Sequence, residues 1–65
     1  MSMRGRRLFD QYVARHLNHP ALAGLSTHSH VLNLVDQARG HNIPVGELVE
    51  EVGPLLEALR TARKL

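Results

Sequence analysis

Histidine and glutamate are the residues here whose chemistry would suit a metal or a moving proton. The chain has five histidines in 65 residues and no cysteine. His16 and His19 lie three apart, and His28 and His30 lie two apart. A metal centre needs three or four ligands converging at fixed geometry. These pairs fall on different predicted elements, and no His-Glu-x-x-His pattern joins them. The expectation is therefore that His16 and His19 sit near a helix end, with His28 and His30 in the polar first turn of the next helix. No metal and no cofactor is expected.

Covalent and acid–base chemistry are equally poorly supplied. Ser2, Ser26, Ser29, Thr27 and Thr61 have no base and orienting partner in a recognisable pattern, as nucleophilic catalysis requires. Glu47, Glu50 and Glu51 read as a solvated helix face. An acid–base pair would need one carboxyl in an apolar setting. Gly40, Gly46 and Gly53 mark turns and helix ends and do not form a phosphate-cradling loop. The expectation is that the chain is not an enzyme.

The elements that would position these residues follow from hydrophobic spacing. Leu8, Phe9, Tyr12, Val13, His16 and Leu17 share one face of a first helix over residues 4–17. Asn18-His19-Pro20 ends it, because proline disfavours helical geometry in the residue before it. A loop follows, with Leu22 and Leu25 as anchors. Ser26 or Thr27 caps a second helix, whose predicted buried face is Val31, Leu32, Leu34, Val35 and Ala38. Gly40 is placed as its terminator, and Asn42 suits the same turn. Pro44 opens a third helix with the apolar stripe Val45, Leu48, Val49 and Val52. Gly53-Pro54 reads as a break or sharp kink. A fourth helix then extends to about Lys64 and buries Leu55, Leu56, Leu59 and Ala62.

No stretch alternates as a strand would, so the fold class is all-α, a small bundle of three to four short helices in a single domain, residues 1–65. The hydrophobic fraction of 43% suffices for a core. No apolar run reaches the roughly 18–20 residues of a membrane span, and no apolar stretch follows the N-terminal arginines as a secretory signal would require. The absence of cysteine suits a reducing compartment. A cytoplasmic protein with no membrane contact is expected.

The net charge of +2 hides an uneven layout. Arg4, Arg6, Arg7 and Arg15 load the N-terminal third, while Glu47, Glu50, Glu51 and Glu57 follow one another with no base between them. Leu34 to Val52 has the outline of a helix-turn-helix. A recognition helix wants basic or amide side chains facing the major groove. The second helix here carries Glu47, Glu50 and Glu51, which phosphates would repel. Nucleic acid is therefore a disfavoured partner.

At two places the chain resembles a family of short uncharacterised bacterial proteins, domain of unknown function 768. One is Arg4-Gly5 followed by Leu8-Phe9-Asp10-Gln11-Tyr12-Val13-Ala14 and Leu17. The other is Ala38 through Gly53, with Ile43, Glu47-Leu48, Glu50-Glu51 and Gly53. Tyr12 stands where tryptophan is more usual, and Asn18 to His30 departs from the pattern. The resemblance implies a compact helical fold and carries no activity and no functional residues.

The leading functional expectation is a small intracellular interaction or regulatory module that binds a protein partner, with a homodimer as one way to cover surplus apolar surface. The predicted contacts are Arg4, Arg6, Arg7, Tyr12, Glu47, Glu50 and Glu51, with Phe9 filling the core. The alternative expectation is a DNA-associated transcriptional regulator with a degenerate helix-turn-helix.

Overall fold

A computed structural model describes residues 3–22 and 24–63. Helix α1 runs Arg4–Tyr12 and continues through a wider π-helical turn, Val13–Leu17. A short 3-10 turn, Pro20–Leu22, leads to α2, Thr27–Gly40. Helix α3 spans Val45–Val52 and α4 spans Leu55–Arg63. The fold is a small all-α bundle, with no strand among the described residues. Its radius of gyration is 11.0 Å, matching the roughly 11 Å expected of a compact chain of this length. No helix is long and apolar enough to cross a membrane. Lys64, expected near the end of the last helix, lies outside the described residues.

Local signals explain most of the boundaries. The Ser26 hydroxyl accepts the Ser29 N–H at 3.2 Å and caps α2. At the other end, Ile43 N–H donates to the Ala38 carbonyl at 2.8 Å and Asn42 N–H donates to that of Arg39 at 3.1 Å. This is a Schellman motif, and it needs a left-handed residue between the two donors. Asn42 fills that place with φ of 60°. Gly40 therefore stays helical, and the turn belongs to Asn42, because an asparagine tolerates the left-handed region. Gly53 has φ of 97° and breaks the chain between α3 and α4. A side chain there would be strained.

Leu8, Phe9, Tyr12, Leu17, Leu34, Ala38, Ile43, Leu48, Leu55 and Leu59 form one buried cluster. Two expectations about α2 need correction. Leu32 is 63% exposed. It falls on the far side of the helix from the row His30, Leu34 and Ala38, each fully buried at one-turn spacing. His30 accordingly belongs to the core and not to a polar first turn.

Helices α1 and α3 meet unusually closely at Gly5. A Cβ built on Gly5 would stand 3.3 Å from the Leu48 Cα and 2.9 Å from Glu51 Oε1. That carboxylate accepts the Arg6 N–H at 3.1 Å. It thereby satisfies an N-terminal donor of α1, whose own N-cap residue, Met3, offers no side-chain hydrogen bond. Glycine at this position thus allows both the approach of the backbones and the cap.

Gly5→Ala should consequently reverse the usual glycine-to-alanine effect. In an open helical position such as Gly46, where nothing lies within 4 Å of the new Cβ, alanine should stabilise by about 0.5–1 kcal/mol. At Gly5 the displaced cap and overpacking together cost about 2–3 kcal/mol, so a net loss of about 1–2 kcal/mol is expected. Thermal melts of the two variants check this. A higher Tm for both would show that α1 does not need the close approach.

Candidate partner interface

Each charged residue near the N-terminus of α1 has its own environment. Arg4 holds Glu47 with two bonds, Nε to Oε2 at 2.6 Å and Nη2 to Oε1 at 2.8 Å. The hydrogen bond and the attraction hold the Glu47 carboxyl below its ordinary range and raise the Arg4 guanidinium above its own. Arg6 lies 3.5 Å from Asp10 one turn along, with its guanidinium 5.8 Å from the Phe9 ring centre. Glu51 is taken up by the Arg6 N–H. Arg7 is exposed and has no carboxylate within ion-pair distance among the described residues.

Arg7 lies on a groove open to solvent, about 320 Å³ in volume, between α1 and the α2–α3 turn. Arg4, Arg7, Leu8 and Gln11 line it from the helix, and His41 and Ile43 from the turn. Leu8 and Ile43 are core residues, so the lining joins polar walls to the edge of the apolar cluster. The turn's position follows from the Schellman motif. Its N–H groups bend back onto the α2 carbonyls, and Ile43 is buried beside Ala38.

Of the residues expected to contact a partner, Arg4 and Arg7 line this groove, whereas Arg6 and Glu50 are exposed outside its lining. Glu47 and Glu51 are engaged with α1 rather than presented as a solvated acidic face. Tyr12 requires a correction. It is 1% exposed and is a core residue instead of a surface anchor. Sequence reasoning missed His41 and Gln11. Gln11 lies off the apolar face of the first helix, and nothing in the spacing shows that the α2–α3 turn lies across from it.

Tyr12 has a different task. Its hydroxyl forms a 2.7 Å hydrogen bond with His30 Nδ1. The rings meet edge to face, with centroids 5.7 Å apart. The His16 ring also lies near, its centroid 5.1 Å from that of Tyr12. His30 Nε2 is buried without a hydrogen-bond partner among the described residues. Burial lowers the His30 pKa, helped by the positive charge of Arg63 and by His16, with the Leu22 backbone acting in the opposite direction. Burial also raises the Tyr12 pKa, against a contribution from Asn33. The pair joins α1 to α2 in its neutral form. Among the described residues, no three His, Asp or Glu side chains converge to hold a metal. Comparison with family models, curated proteins and solved structures returns no match.

The lowered His30 pKa fixes the sign of a pH effect. The unfolded chain binds this proton more readily than the folded one, so stability is complete above the unfolded value, about 6.5. It falls as pH drops below that point towards the folded value. The Glu47 shift has the same sign but acts only below about 4.5. Melting temperatures should therefore hold steady from about pH 8 to 7 and decline towards about pH 5. His30→Gln should flatten that decline. A wild-type Tm that does not change across this range would contradict the burial of a neutral His30.

Proposed function

We propose that the chain is a small, non-catalytic protein-interaction or regulatory module of the cytoplasm, which binds a protein partner along the groove between α1 and the α2–α3 turn. The observation that carries this reading is Arg7, an exposed cation with no carboxylate at ion-pair distance among the described residues, set beside Leu8 and Ile43 on an open concave surface. A charged group next to apolar floor suits recognition of a side-chain pair. Arginine is also enriched among residues that dominate binding energy. The fold leaves α3 poorly suited to DNA. Glu47 and Glu51 serve α1, while the exposed positions Val45, Val49 and Glu50 offer phosphates no cation. A membership in domain of unknown function 768 would be compatible with this reading and adds no site to it.

Affinity capture from native cells, with and without nuclease treatment, tests the proposal, using tagged wild-type and Arg7→Glu chains with native mass recorded for each. The wild type should enrich a protein partner that survives moderate salt, and Arg7→Glu should lose most of it while remaining folded. Equal recovery by both chains would remove the groove from the interface. Recovery of nuclease-sensitive nucleic acid alone would favour the DNA-associated regulator.

A further inference from the structure

Resting on the groove reading, we infer that its occupant is an acidic peptide segment of the partner, with one carboxylate beside Arg7 and an adjacent aliphatic side chain over Leu8 and Ile43. The charge of the lining carries this. Arg4 and Arg7 are cationic, Gln11 and His41 are polar, and none of the six lining residues is acidic. The acidic residues around α1 are each engaged, and none of them with Arg7. Glu47 holds Arg4, Glu51 holds the Arg6 N–H, and Asp10 faces Arg6. With Arg4 paired to Glu47, the positive charge left beside the apolar edge is that of Arg7. A guanidinium offers a carboxylate two parallel N–H donors, and Gln11 adds a neutral amide at the same wall.

Two features restrict the occupant to a short segment with few charges. The groove's 320 Å³ is small, near the lower end of the roughly 300–1,000 Å³ of ligand sites. It holds a few side chains and not a folded surface. A polyanion would also need more cations than the groove offers, because Arg7 is its one arginine not already held by a carboxylate among the described residues. Phosphate-backbone binding gains its affinity from many cations neutralising successive charges. One carboxylate beside one aliphatic group uses what this surface presents. The negative end of α2 opposes such a ligand less than an open helix end would, because N–H groups of His41, Asn42 and Ile43 already bond the carbonyls of Gln37, Ala38 and Arg39.

The test is a backbone-amide NMR titration of the intact chain with three probes: a blocked peptide alternating Glu and Leu, a blocked peptide alternating Lys and Leu, and a short DNA duplex. The Glu/Leu peptide should give saturable shifts at Arg7, Leu8, Gln11, His41 and Ile43. Arg7→Glu should weaken it about tenfold or more. Gln11→Glu, which adds a carboxylate at an exposed helix position, should weaken it independently. Saturable binding of the Lys/Leu peptide alone would overturn the acidic occupant yet leave an interaction module standing. DNA shifting α1 in a steeply salt-dependent way, with neither peptide binding, would overturn both readings. No saturable shift from the Glu/Leu peptide at millimolar concentration would also overturn the inference.

Discussion

The seating of the α1 N-terminus on α3 is the contact from which the other features follow. A helix of nine residues without a side-chain cap is not stable alone, because nucleation is costly and its first N–H groups lack partners. Here α3 supplies what α1 lacks. Glycine at position 5 lets the backbones close to contact, Glu51 takes an N-terminal N–H, and Glu47 clasps Arg4. A carboxylate at a helix N-terminus also interacts favourably with the helix dipole. Once the first turn is fixed, Leu8, Phe9 and Tyr12 are directed into the core, and Arg7 and Gln11 are directed to its edge.

The far end of α1 is held by different chemistry. Tyr12 and His30 form a neutral hydrogen-bonded pair inside the apolar cluster, and Leu17 closes the π-helical turn beyond it. A buried hydrogen bond of this kind adds direction to packing that is otherwise only apolar. It leaves His30 Nε2 without a partner among the described residues, and burial of a polar atom without a partner is unfavourable. Arg63, which donates to the Thr27 hydroxyl at 3.1 Å, ties the end of α4 to the start of α2 near the same histidine. The apolar core, the α1–α3 clasp and this pair together define where the groove lies.

Much of the architecture was legible in the residue order. Helical spacing identified the first helix through Leu17, and Ser26, Pro44 and Gly53-Pro54 marked boundaries that the structure bears out. These signals are local, so they survive without knowledge of the tertiary contacts. What stayed hidden was pairwise. Nothing near Glu51 announces that it reaches a helix 45 positions earlier, and a histidine in a first turn is ordinarily a surface residue. Leu32 was misplaced because hydrophobicity alone cannot tell which side of an evenly apolar helix meets the bundle. Of the expected contact residues, Arg7 is exposed as a contact must be, whereas Tyr12, which shares the apolar face of the first helix, turns its hydroxyl inward to His30.

The carboxylate of Glu51 at the Arg6 amide is the most direct point at which to test this account. Hydrogen exchange at that amide should be measured in the wild type and in Glu51→Ala. In the wild type the Arg6 N–H should be protected well beyond an exposed helix-start amide. Its protection should fall selectively in the variant while the amides of Leu34 and Leu59 keep theirs. Exchange of the Arg6 amide at an unprotected rate in both proteins would contradict the clasp between α1 and α3.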